Sequence, residues 1–254
     1  MSIEQAPTNK VTFGLVHGAH HDAQVWNKLR PKLAALGHQT IAMDLPIDRT
    51  GVNFDTYAEC IAEAVADHEN VVLVGHSRIG RAIPRVAALV PIQRLVYLNA
   101  VVLPALDQQE LIANQPPAHV PGYVEGRIIT EVGGELFAEY DRSRAGIYYS
   151  DFDPNNPEIE ANTEEVNAMI ARLKKQNRTQ EGSPLPTQPD LPTNSIISIA
   201  DHVISPAYSR YVARHYLRVT GIEVPGGHTP QFLRPSMLAN ILHNIVQDPD
   251  VSAS

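Results

Sequence analysis

The chain is patterned as short apolar runs that alternate with longer stretches of helical period. Val11–Val16 (VTFGLV), Thr40–Met43 (TIAM), Val71–Val74 (VVLV), Leu95–Leu98 (LVYL), Ile196–Ile199 (IISI) and Val219–Val224 (VTGIEV) are rich in β-branched residues and do not alternate strictly with polar ones. Runs of this kind suit strands covered on both faces. Between them, Val25–Leu36, Tyr57–Asp67, Gly80–Leu89 and Pro235–Val246 carry apolar residues at three- and four-residue spacing, which predicts helices. Pro84 should kink the third of these. Strand alternating with helix predicts the α/β class: a doubly wound, mostly parallel sheet with helices on both faces.

One region breaks the rhythm. Between Pro104 and Pro192 lie half of the chain's 20 prolines, and the segments PPAHVPG and SPLPTQPDLP read as loops. Two helices are expected among them, at Gly134–Arg142 and Thr163–Lys175. The region reads as an insertion over one end of the sheet. Residues 1–105 and 191–254 are then the core, and 106–190 the inserted part.

Composition narrows the classes. With 254 residues, 43% hydrophobic and 19% charged, the chain can bury a substantial core and is not of disordered type. A net charge of −8 gains nothing from counterion release, so no nucleic-acid partner is expected. The single cysteine, Cys60, excludes an internal disulfide framework and a cysteine-built zinc site. The opening residues MSIEQAPTNK lack a basic start followed by an apolar run, so no secretory signal is read. No stretch approaches the roughly 20 apolar residues of a membrane span. A cytoplasmic protein without membrane partner is expected, as monomer or homodimer.

The strongest chemical signal is Val71-Val-Leu-Val-Gly75-His76-Ser77-Arg78-Ile79-Gly80, where a buried strand runs through Gly-x-Ser into a helix. That context suits a sharp turn lifting the serine hydroxyl out of the sheet. Ile79 stands two after the serine, where a small residue is usual, and Gly80 comes one position later. A serine nucleophile needs a base. His228 follows the last strand and Val224-Pro-Gly-Gly227, which sets it on the same carboxyl edge as Ser77. Asp201 directly follows the strand ending at Ala200 and is the candidate orienting carboxylate, ahead of Asp107 and Glu110, which lie further from their strand. The order Ser77, Asp201, His228 is that of a serine triad on a doubly wound sheet. Two backbone amides, of Arg78 and of Ala19 in the loop His17-Gly18-Ala19, are the candidate oxyanion donors. The Arg78 side chain could draw an anionic substrate, although an exposed arginine at a helix start is common. His20 and His21 read as loop residues rather than metal ligands, since no carboxylate or cysteine sits at ligand spacing.

Taken together, Val16-His-Gly-Ala-His-His-Asp-Ala-Gln-Val-Trp26, Leu73-Val-Gly-His-Ser-Arg-Ile-Gly80, Ala200-Asp201 and Gly226-Gly-His228 resemble the α/β-hydrolases. The likeness is to the compact branch of hydroxynitrile lyases, methyl-ester hydrolases and bacterial esterases. It implies Ser77 as nucleophile, His228 as base, Asp201 as its partner and the insertion as a cap. It also implies a serine hydrolase acting on a small ester or lactone without metal or cofactor. In that cap Tyr123, Tyr140, Tyr148 and Tyr149 are candidate pocket residues, as are Gly18 and His20 of the first loop, and packing of the cap on the core accounts for the tyrosines equally well. The cyanohydrin-cleaving members carry a threonine after the first-loop histidine and a lysine after the catalytic histidine. Here Gly18 and Thr229 stand there, which disfavours a lyase. The remaining alternative is a non-catalytic ligand-binding relative in which Ile79 has spoiled the turn.

Overall fold

All six apolar runs become strands of one sheet. The computed structural model describes residues 9–247 apart from 142, 179, 180 and 186, so Arg142 of the expected Gly134–Arg142 helix, Pro186 of the expected proline-rich loop and the first eight residues lie outside the described residues. In chain order the strands are β1 (Thr12–Val16), β2 (Gln39–Met43), β3 (Val71–His76), β4 (Arg94–Leu98), β5 (Arg127–Val132), β6 (Glu135–Tyr140), β7 (Gln176–Asn177), β8 (Thr193–Ser198) and β9 (Ile222–Val224). The helices are α1 (Leu29–Ala35), α2 (Phe54–Val65), α3 (Ile83–Val86), α4 (Thr163–Arg172), α5 (Pro206–His215), α6 (Pro230–Leu233) and α7 (Pro235–Gln247).

The main sheet runs β2-β1-β3-β4-β8-β9, with every neighbouring pair parallel. Its strands end nearly level: Val16 pairs with Gly75, His76 with Leu98 and Leu98 with Ile196. The loops that follow them therefore meet along one edge. Every residue of β1, β3, β4 and β8 is buried. Because side chains alternate across a strand, this means both faces are covered, which is why the runs do not alternate in sequence. α1 packs against α7, and α2 against α3. α2 starts on a capping box in which Asn53 accepts from the Thr56 amide at 2.9 Å.

Three details differ from the sequence reading. The helix expected at Gly80–Leu89 is two short pieces, a 3-10 turn Ser77–Arg81 and then α3. Pro84, having no N–H and a fixed φ, begins the second piece instead of kinking a continuous helix. The helix expected at Gly134–Arg142 is strand β6, antiparallel to β5 across Gly133-Gly134. Both glycines are left-handed, φ +60° and +82°, as a two-residue hairpin turn requires. α5 went unread, although Ser205 caps it and Pro206 opens it.

The β5-β6-β7 sheet and α4 sit between β4 and β8 and are tied to the carboxyl edge of the main sheet. Lys174 N donates to the His20 carbonyl at 2.8 Å, Asn177 N to that of Ile47 at 2.6 Å and Glu160 N to that of Leu233 at 2.8 Å.

The hairpin geometry is testable in two variants. Gly134→Ala should cost about 1–2 kcal/mol, because a Cβ disfavours the left-handed region. Gly146→Ala adds its methyl to open space and should change stability by no more than about 0.5 kcal/mol. Urea midpoints that fall equally for both variants would count against the turn.

Candidate active site

The chain leaves β3 at Ser77 in the left-handed region, φ +57°, which costs a side-chain-bearing residue about 1–2 kcal/mol. Its surroundings hold it there. The Val101 amide donates to the Ser77 carbonyl at 2.9 Å. A Cβ on Gly80 would lie 2.6 Å from the Val101 carbonyl oxygen and 2.8 Å from Ala100 Cβ. The position that must be small is thus three after the serine. Ile79, two after it, is buried and packs into the core. On the other side, a Cβ on Gly18 would sit 2.7 Å from Ser77 Cβ, so the loop after β1 lies directly against the serine.

Asp201 follows β8 and His228 follows β9. His228 Nδ1 donates to Asp201 Oδ2 at 2.8 Å, with the two side chains only 1% and 2% exposed. Oδ1 accepts from the amides of Val203 at 2.7 Å and Ile204 at 3.0 Å. Three hydrogen bonds compensate the burial of this carboxyl group. With its proton on Nδ1, the imidazole has its lone pair on Nε2, a buried atom without a hydrogen-bond partner among the described residues. Asp107 and Glu110, the competing carboxylates, are exposed.

The backbone of His228 is tied to the turn after β3. His76 Nε2 donates to the His228 carbonyl at 2.9 Å, and Gln231 Nε2 donates to His76 Nδ1 at 3.3 Å. Asn99, at the end of β4 with φ +46°, donates to the same carbonyl at 3.1 Å and to Ser198 Oγ at 3.0 Å. Its own Oδ1 accepts from the Ser198 amide at 2.8 Å. Asn99 therefore ties β4, β8 and the His228 loop together.

Two histidines set the loop after β1. The Leu45 amide donates to His17 Nε2 at 3.0 Å, so the proton lies on Nδ1, which donates to the Gly18 carbonyl at 2.8 Å. In a trans peptide the C=O and N–H point opposite ways. Fixing the Gly18 carbonyl on His17 consequently turns the Ala19 N–H away from His17. His21 Nδ1 donates to the Ala19 carbonyl at 2.9 Å, and Tyr149 O–H to His21 Nε2 at 3.1 Å. Burial pushes His21 down to about 3, helped by the neighbouring histidines, and His20 down to about 4, helped by Arg127 and Arg78. His76 lies far below the usual imidazole range through burial, with His228 and His21 adding to the effect.

Ser77, Ala19 and Arg78 share the wall of a cavity of about 280 Å³ with His20 and Tyr123. Arg78 is half-buried rather than exposed, its guanidinium 5.1 Å from the centre of the Phe54 ring. The other pocket candidates take different places. Tyr148 stands behind Tyr123, with 3.0 Å between their hydroxyls, and its ring is 6.0 Å from that of His228. Tyr140 lines a neighbouring cavity of about 160 Å³ on the insertion side of His20, and its hydroxyl donates to the Tyr123 carbonyl. Tyr149 packs on Phe232 and serves His21. Among the described residues no cluster of histidine, cysteine and carboxylate side chains could hold a metal ion, and no helix is long and apolar enough to cross a membrane.

Residues 15–241 match the sequence model of the alpha/beta hydrolase family. The chain belongs to that family. It is similar to methylesterase 2 of Arabidopsis thaliana, 27% identical over 92% of this chain and 95% of that protein. A shorter match, 34% identical over 48% of this chain and 47% of the relative, is to the alpha-hydroxynitrile lyase of the same plant. Among solved structures, a pyrethroid hydrolase from Sphingobium faniae JZ-2 superposes with a TM-score of 0.71 at 23% identity, covering 95% of this chain and 99% of that one. Polyneuridine aldehyde esterase gives 0.73 at 17% identity, over 93% and 99%.

Several residues of this alpha/beta hydrolase site escaped the sequence reading. Asn99 had a usable signal, since it follows a strand at the same edge as Ser77. Arg127 and Arg178 in the cavity wall had none, because the insertion brings them there.

The buried neutral imidazoles give a pH dependence of definite sign. His20 and His21 titrate lower in the folded chain than the 6.5 of a free side chain. Below that value the unfolded chain binds more protons, so stability falls as pH drops. Each contributes about 1.4 kcal/mol per pH unit across its window. Urea midpoints should decline steadily from pH 6.5 to 4.5, and a His21→Gln variant should decline less steeply. A wild-type midpoint flat over that range would contradict the assignment.

Proposed function

We propose that this hydrolase cleaves a small carboxylic ester or lactone through an acyl-enzyme on Ser77. The observation that carries the reading is the buried Asp201–His228 hydrogen bond at 2.8 Å, which leaves His228 Nε2 as a base on the sheet edge that also bears Ser77. His228 Nε2 takes the Ser77 proton as Oγ attacks the carbonyl carbon. Asp201 holds the tautomer and stabilises the imidazolium. The oxyanion is received by the Ala19 and Arg78 amides, the first aimed by the His17–Gly18 bond and the second opening the turn after the serine. One such donor supplies roughly 3 kcal/mol. His228 then protonates the leaving alkoxide, and a water deprotonated by the same Nε2 releases the acid. The 106–190 insertion acts as the cap that shapes the pocket. The names of the methylesterase and of the pyrethroid hydrolase and aldehyde esterase structures support ester cleavage.

A lyase is less well supported. Thr229, where the cyanohydrin-cleaving relatives have lysine, is buried with its hydroxyl spent on the Tyr148 carbonyl at 2.8 Å. No cation is thereby offered to a leaving cyanide at that position.

Hydrolysis of p-nitrophenyl acetate should fall about a thousandfold or more in Ser77→Ala, and by a comparable factor in Asp201→Asn, whose amide favours the wrong tautomer. A fluorophosphonate should label the wild type at Ser77. Retention of turnover in Ser77→Ala, or labelling elsewhere, would refute the nucleophile. A protein that neither labels nor turns over would instead be a ligand-binding relative.

A further inference from the structure

The cavity at Ser77 carries a charge pattern that ester cleavage alone does not need. In a chain of net charge −8, four arginines, Arg78, Arg81, Arg127 and Arg178, stand in one wall with a single carboxylate, Glu181. Glu181 is committed to Arg81. Arg127 opens β5 and Arg178 follows β7, so both come from the insertion rather than from the main sheet. Arg127 is half-buried, 5.7 Å over the Tyr123 ring, and its Nε donates to the Val124 carbonyl at 3.3 Å. Neither Arg127 nor Arg178 forms an ion pair with a described residue.

We propose that this wall is an anion subsite, and that the substrate is a short ester carrying a separate carboxylate. The proposal deepens the esterase reading and rests on it. A partly desolvated guanidinium without a protein carboxylate, as at Arg127, is costly, and a bound anion removes that cost, with the exposed Arg178 adding a second positive charge. The planar guanidinium fork matches a planar carboxylate. The cavity volume of about 280 Å³ lies just below the ~300–1,000 Å³ usual for ligand pockets, which favours a substrate with only a few carbons beyond the ester. The other basic groups in the wall add no charge near neutral pH. Burial, reinforced by Arg127, pushes both His20 and His119 down to about 4. Arg78, though lowered to about 10 by burial and by Arg81, stays charged.

The test uses the wild type, Arg127→Gln and Arg178→Gln, with p-nitrophenyl acetate as the reporter substrate. Monomethyl glutarate and dimethyl glutarate, which differ by one charge, are compared as competing ligands. The monoester should inhibit with a Ki about tenfold below that of the diester, and each variant should bring the ratio toward one. Arg178 is exposed, so its variant carries the comparison if Arg127→Gln disturbs the hairpin. Equal Ki values in the wild type, or a ratio unmoved in both variants, would overturn the subsite while leaving esterase activity standing. Inorganic phosphate binding tighter than monomethyl glutarate would overturn the carboxylate assignment. If the wild type neither hydrolyses p-nitrophenyl acetate nor is labelled by the fluorophosphonate, the esterase reading fails. Calorimetric titration with the same two glutarates then decides the subsite without turnover.

Discussion

Two backbone segments must occupy almost the same space at Ser77, and much of the site follows from how the chain permits it. The loop after β1 approaches so closely that a methyl group at Gly18 would collide with Ser77 Cβ, and the segment after β4 presses as hard on Gly80. Between these two contacts the serine has little choice of backbone conformation, and it takes the left-handed one. The strain is met by parallel strands that end level, because only then do the loops after β1, β3 and β4 converge. Ile79 fits this scheme without difficulty. The turn asks for small residues where backbones touch, and Ile79 faces the core instead.

Electrostatics supply a second layer of order. The site holds five histidines at or beside the sheet edge, His17, His20, His21, His76 and His228, all buried. Five imidazolium ions there would be untenable in a low-dielectric interior. The chain avoids this by giving ring nitrogens fixed partners. His17, His21 and His76 each use both, one donating and the other accepting. Such a ring cannot take another proton without losing an acceptor bond. His228 differs, having a carboxylate on Nδ1 and an uncommitted Nε2. His20 bonds only through Nδ1, to the Lys174 carbonyl, and is held down to about 4 by burial, Arg127 and Arg78, so His228 alone of the five has a carboxylate beside its ring.

Much of this was legible in the sequence, for physical reasons that also mark where reading stops. The six runs announced strands because parallel strands covered on both faces must be apolar throughout, and Ser77, Asp201 and His228 stood out because each follows such a strand. The Asp201–His228 contact then appears where strand order suggested. The β5-β6 hairpin was harder. Leu136, Phe137 and Tyr140 have a spacing that a helix also satisfies, and Leu136 is exposed while Phe137 and Ala138 are both buried, so strict alternation fails. The Gly133-Gly134 pair carried the correct signal, because two adjacent left-handed residues belong to a hairpin turn and not to a helix start. What no local pattern could show is which insertion side chains reach the cavity. That depends on how one sheet seats on the edge of another.

The ties around His228 also span most of the chain. His76 bonds to a carbonyl 152 residues away and Asn99 to the same carbonyl 129 residues away, while Asp201 and His228 are 27 residues apart. Contacts between such distant segments form late, since loop closure must precede any gain from them. The last strand and the His228 loop can be clamped only after β3, β4 and β8 have assembled. A partly folded chain, or a nascent one still lacking its final thirty or so residues, therefore has the Ser77 turn but not the Asp201–His228 pair. In this protein the candidate site is complete only when the sheet is.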